Sequence, residues 1–316
     1  MYPLKFAPVY QERIWGGQGL KEKFGRQLPA KPIGESWEIS AHPNGLGSVV
    51  KGNLAGYTIP ELIAEFGVAF LGFKAESSCR EKFPLLVKLL DAKEQLSVQV
   101  HPDNSFALEK EGELGKFEIW YILAAAPGAK IVYGLKPGID AAALQRAIQN
   151  GNVESCLNEV VVKKGELYVI PPGLVHGLGA GIMVAEIQQN SDIVYRVYDY
   201  NRLDDHGKLR ELHVDKALEV IRFDDFLPSY PLECQENSRV IETEHFQVDL
   251  VTNREREEFF NEAGRFYILT CLQGNANIYY HNEKLPWIEG ESILIPADVS
   301  DFIIEGEAKY LRTYLL

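Results

Sequence analysis

Short apolar runs separated by Gly, Pro and Asn dominate the chain, and their length and spacing predict strands. Runs at Ser36–Ala41, Phe83–Leu90, Leu96–Val100, Phe117–Ala124, Lys130–Tyr133, Glu166–Ile170, Ile182–Gln188 and Ile193–Tyr198 read this way. Turns such as Pro43-Asn44-Gly45, Ala126-Pro127-Gly128 and Pro171-Pro172-Gly173 lie between them. Helical patterns are few. Ile59–Phe66 follows Thr58, a cap residue, and carries Pro60 in its first turn, where the missing N–H costs little. Asp140–Gln149 is Ala-rich and stops at Asn150-Gly151, and His213–Ile221 is a third candidate. The pattern predicts a mainly β protein, a sandwich or barrel with a few short inserted helices.

Internal repetition refines that picture. Gly165-Glu-Leu-Tyr-Val-Ile-Pro171-Pro-Gly173-Leu-Val-His176 is echoed by Gly290-Glu-Ser-Ile-Leu-Ile-Pro296-Ala-Asp298-Val-Ser-Asp301. Gly115-Lys116-Phe117-Glu118 is echoed by Gly264-Arg265-Phe266-Tyr267. The second copy keeps the Gly and Pro positions but has Tyr267 for Glu118 and Asp301 for His176. The copies are offset by 149 residues at the Glu and 125 at the His, and the helical stretch at about 137–158 accounts for the difference as an insert. Residues 224–240 are polar with two prolines, which places a boundary near Glu233. The expectation is a catalytic domain over 1–233 and a degenerate second copy over 234–316.

The first copy carries metal-site chemistry. Gln99 and His101 are two apart on a strand and so share a face. A turn helps fix the direction of His176, and Glu118 lies on another strand. Two imidazoles, a carboxylate and an amide oxygen suit Zn2+, one per chain, and are compatible with Mn, Fe or Co. The bland reading makes each His a satisfied core residue and Glu118 a salt-bridge partner. The joint loss of Glu118 and His176 in the second copy argues against it. His42, in Ala41-His42-Pro43, reads as structural.

The Gly-x5-Pro-x-Gly-x2-His element resembles the second cupin motif. Leu96-Ser-Val-Gln99-Val-His101-Pro-Asp resembles the zinc-site strand of type I phosphomannose isomerases. Gly115-Lys-Phe-Glu118, the His176 turn, Asn190-Ser-Asp192-Ile-Val-Tyr-Arg196, Trp15-Gly-Gly and Trp37-Glu-Ile-Ser-Ala-His-Pro match the same family, which covers nearly the whole chain in its compact bacterial form. The resemblance implies two cupin (jelly-roll) β-barrel domains. It also implies a zinc-dependent aldose–ketose isomerase that interconverts mannose 6-phosphate and fructose 6-phosphate through an enediol. An active-site arginine at Arg196 and a role for Asp192 come with it.

Charge tests that implication. The formal net charge of −13 disfavours nucleic acid and anionic membranes as partners, and it also repels a sugar phosphate at long range. A phosphorylated substrate therefore needs a local basic cluster. Lys116, two residues before Glu118, and Lys88, inside the run Phe83-Pro-Leu-Leu-Val-Lys-Leu-Leu, supply one together with Arg196. Lys116, Asp192 or a metal-bound water is the candidate base. Lys88, Trp15 and Trp37 are candidates for sugar binding, against the plain alternatives of solvated charge and core packing. The cysteines Cys79, Cys156, Cys234 and Cys271 form no C-x-x-C pair, and no signal peptide or membrane-length apolar run is visible, so a cytoplasmic location is expected. Two rivals remain: a cupin oxygenase, which would favour His-x-His where this chain has Gln99-x-His101, and a non-catalytic sugar-phosphate-binding cupin.

Overall fold

The computed structural model describes residues 1–73, 82–204, 206–224, 227–232 and 234–316. Cys79 and the boundary residue Glu233 lie outside the described residues. Two compact units emerge, one comprising Met1–Val9, Ser36–Leu89 and Glu233–Leu316, the other Tyr10–Glu35 and Leu90–Leu232. The grouping differs from the linear division into 1–233 and 234–316, because segments near the start of the chain pack with its end. Leu4 and Lys5, for example, pair antiparallel with Leu294 and Ile293.

In the second unit, a five-stranded sheet runs in the order Tyr195–Tyr198, Val98–Val100, His176–Leu178, Lys130–Leu135, Leu157–Val161. Opposite it, Glu118–Ala125 is hydrogen-bonded to Ile182–Gln189 on one side and Leu167–Ile170 on the other. Trp120, Ile122, Ile131, Tyr133, Tyr168, Ile170, Leu178 and Val184 interlock between the layers as one core. The strands read as continuous apolar runs rather than alternating ones because both faces are covered. The outer face of the five-stranded sheet, with Val98, Val100, Tyr195 and Val197, is buried beneath Leu144, Val153, Cys156 and Ala217. The 137–158 insert, with the helix Ala141–Gln149, thus completes a core rather than decorating a loop. Asp140 caps that helix by accepting from the Ala143 N–H at 2.6 Å.

In the first unit, the two long strands Tyr267–Tyr280 and Asp301–Tyr314 pair antiparallel along most of their length. Ser292–Ile295, Gln247–Asn253 and Ser238–Glu242 extend the same sheet. Trp287, Ile293, Ile295, Phe302 and Tyr310 fill its core. The helix Ile59–Phe66 belongs to this unit, and the Thr58 N–H and hydroxyl both donate to Glu61. The mainly β expectation holds. The expectation of closed barrels is corrected: the sheets are open, ending in edge strands such as Tyr195–Tyr198 and Leu157–Val161.

The internal repeat is visible in register. Glu118 pairs with Ile170, the residue before Pro171, and Tyr267 pairs with Ile295, the residue before Pro296. Two residues on, Trp120 pairs with Tyr168 and Leu269 with Ile293. Each copy therefore sets the start of one strand beside the same Pro turn.

Candidate metal centre

Three neighbouring elements of the second unit converge. Gln99 pairs directly with His176 across adjacent strands, and His101 follows Gln99 by two positions. Glu118 opens the strand of the opposite layer. His101, Glu118 and His176 bring ligand atoms within 4.8 Å of one another, and all three are buried. The Glu118 carboxylate lies 3.7 Å from His101 Nε2 and 3.4 Å from His176 Nε2. The Gln99 amide end reaches the same point, at 3.5 Å and 3.3 Å from those nitrogens.

Hydrogen bonds on the far side of each ring set the tautomers. His101 Nδ1 faces the Ile193 carbonyl at 2.8 Å, and His176 Nδ1 faces the Leu174 carbonyl at 2.8 Å. A carbonyl only accepts, so Nδ1 carries the proton in both rings and both Nε2 lone pairs point at Glu118. Burial, with Lys116 nearby, pushes His176 down to about 3, so it is neutral at physiological pH. Trp120 meets the His176 ring edge-on, with centroids 5.4 Å apart. The polar groups closest to the Glu118 carboxylate are the two Nε2 atoms and the Lys116 ammonium, 2.8 Å away. Two imidazole Nε2 atoms and a fully buried carboxylate converging on one point fit a divalent cation.

Lys116 is buried, with Nζ 2.8 Å from Glu118 and 3.2 Å from His101 Nε2. Burial alone would lower its pKa, but Glu118 and Glu186 outweigh that and hold it above the ordinary lysine value. Asp192 contributes to the same effect and also acts on Arg13. Arg196 pairs with Gln99 in register and so faces the same side. It donates from Nη1 to the Glu211 carbonyl at 2.6 Å, and its Nε is buried without a partner among the described residues. Burial lowers the Arg196 pKa, and Arg210 and Arg202 lower it further.

The sequence reading missed four contributors. Glu186 pairs with Trp120 in register, accepts from its Nε1 at 2.7 Å and acts on both Lys116 and His176. Its signal was a lone charge at an alternating position of an apolar strand. Arg202 and Arg210 both grip Asp199, and nothing in their loop spacing marks them. His213 accepts the Arg196 N–H on Nδ1 at 3.1 Å.

Trp15 is only 4% exposed and packs in the core with Trp120 and Ile122. Trp37 is fully enclosed in the first unit, edge-on to His42 at 5.7 Å. Lys88, buried in the same unit, places Nζ 4.8 Å from the Trp37 ring centroid, a cation–π contact rather than a solvated charge.

Comparison with known proteins bears on the whole chain. The family model for the catalytic domain of type I phosphomannose isomerase matches residues 3–114, and that for the mannose-6-phosphate isomerase cupin domain matches residues 236–315. The putative mannose-6-phosphate isomerase YvyI of Bacillus subtilis is 37% identical over 323 residues, covering 99% of each chain. The mannose-6-phosphate isomerase of Streptococcus mutans is 34% identical, covering 99% of this chain and 98% of its own. The crystal structure of the mannose 6-phosphate isomerase from Bacillus subtilis superposes over 100% of both chains with a TM-score of 0.91 and 35% identity.

Proposed function

The chain belongs to the type I mannose-6-phosphate isomerase family, and on that premise we propose that it interconverts mannose 6-phosphate and fructose 6-phosphate through an enediol, with one zinc ion held by Gln99, His101, Glu118 and His176. The observation that carries the metal reading is the pair of Nδ1–H donors that turn both Nε2 lone pairs onto one buried carboxylate. Zinc would supply Lewis-acid polarisation of the sugar oxygens, worth several kcal/mol of barrier.

The remaining roles fall to the chain itself. A proton must leave C2 and reach C1. Lys116, buried with Nζ 2.8 Å from Glu118, is placed as a positive charge for the developing oxyanion. Asp192, half-buried and within electrostatic reach of Lys116, is the carboxylate assigned to carry the proton. Arg196, with an uncommitted Nε, anchors the phosphate. Residues 234–316 form the degenerate copy that lacks these ligands.

The test is a coupled assay of fructose 6-phosphate formation. Arg196→Ala should lower kcat/KM by roughly 10²-fold or more, the scale of losing a charge-assisted donor in a site. Exposed His206→Ala should change it by no more than about twofold, the scale of a neutral surface substitution. Equal effects would overturn the assignment, and oxygen uptake by an iron-loaded sample would favour the oxygenase.

A further inference from the structure

The register match between the copies locates, in the first unit, the counterpart of the metal centre. Tyr267 stands where Glu118 stands, and Arg265 stands where Lys116 stands. That position opens into a cavity of about 560 Å³ lined by Arg239, Arg265, Arg312, Tyr267, Tyr314 and Gln247, among others. The volume suits a small-molecule ligand. The exchange of Glu for Tyr removes a metal-ligating carboxylate, while the exchange of Lys for Arg keeps a cation and adds a planar fork.

The cations are preorganised. Arg312 donates to Asp249 from Nε at 3.0 Å and Nη2 at 2.7 Å and lies 5.6 Å from the Phe259 ring centroid. Arg239 is paired with Glu242. Arg265 donates from Nη1 to the Leu315 carbonyl at 2.8 Å and sits 5.3 Å from the Tyr314 ring centroid. Its Nε is buried without a partner among the described residues, a donor awaiting an acceptor. Tyr267 meets Phe259 and Tyr314 at ring edges, with centroids 5.1 Å and 5.3 Å apart, so aromatic surface flanks the guanidiniums. Three lining arginines face one lining glutamate side chain, Glu262, which is exposed. Two of the three are ion-paired, Arg312 with Asp249 and Arg239 with Glu242.

We infer that this cavity is a second, metal-free binding site for a phosphorylated small molecule of sugar-phosphate size, with Arg265 as its central phosphate contact. Oxyanion oxygens engage the Arg265 guanidinium, and phenol and amide groups from Tyr267 and Gln247 receive the rest of the ligand.

Calorimetric titration of the full, zinc-loaded chain with inorganic phosphate tests this. Two ions per chain are expected. Arg265→Gln should remove or weaken one by at least about tenfold, the scale of a lost charge-assisted bond, with isomerase activity unchanged. Arg196→Ala should affect only the other ion. Hydrogen exchange on the unsubstituted chain gives a reading independent of any variant, and phosphate should slow exchange at Tyr267–Thr270 and Arg312–Tyr314. Overturning results are a single phosphate per chain, a titration untouched by Arg265→Gln, or no slowing at those strands.

Discussion

At the scale of single residues, the centre is a balance of buried charges. Lys116 and Glu118 form a buried pair at 2.8 Å, and breaking such a pair by removing one partner costs about 3–5 kcal/mol. Lys116→Met should therefore destabilise the metal-stripped protein by about that amount. It should destabilise the zinc-loaded protein less, because the ion compensates Glu118. Denaturant midpoints with and without zinc check this, and equal losses in the two states would argue that no cation sits at Glu118. His176 adds a pH dependence. Its pKa is depressed to about 3 in the folded chain against 6.5 ordinarily, so the unfolded chain protonates first as pH falls. The stability tied to neutral His176 is complete above 6.5 and falls by about 1.4 kcal/mol per pH unit below it. Between pH 7 and pH 5, metal-stripped protein should lose about 2 kcal/mol that His176→Gln does not lose. The legibility of these residues was uneven. Gln99 and His101 were readable from a two-residue spacing, and Glu118 and His176 from their replacement in the second copy. Glu186 was hidden because a charge in an apolar strand has no direction until its partner strand is known. Trp15 and Trp37 carried family motifs, and both are buried.

At the scale of elements, short-range rules worked where the chain itself supplies the partner. The helix Ile59–Phe66 lies where its Thr58 cap and Pro60 placed it, and the strand Glu118–Ala125 is shifted one residue from its apolar run. The helices Gly19–Phe24 and Asn104–Lys110 went unseen, being too short for a periodic signal. The turn before His176 shows why the copies diverge. Gly173 has φ +84, and a Cβ there would lie 2.6 Å from Arg222 Cγ and 2.9 Å from the Val220 carbonyl oxygen. Its counterpart Asp298 is absent from the positive-φ residues, so the second copy tolerates a side chain. Gly173→Asp should cost at least about 1–2 kcal/mol from backbone strain alone and should weaken zinc binding through His176. The check is thermal unfolding combined with zinc titration. Unchanged zinc affinity would mean that the turn does not orient the ring.

At the scale of the molecule, repetition was legible but grouping was not. The two copies announced themselves through Gly and Pro spacing and appear in the structure as equal strand registers. That Met1–Val9 and Ser36–Leu89 pack with the last segment depends on pairings between residues almost the whole chain apart, such as Leu4 with Leu294, and no local pattern encodes them. No helix among the described residues is long and apolar enough to cross a membrane. The division of labour between the copies, one built around a carboxylate and two imidazoles and the other around arginines and phenols, rests on the metal reading. The most direct measurement is isomerase activity against bound zinc in the metal-stripped chain. Activity on mannose 6-phosphate should be absent at the start, rise in proportion to zinc and reach its plateau at one ion per chain, with Glu118→Gln needing far more zinc to recover. Full activity in protein free of metal would contradict the account.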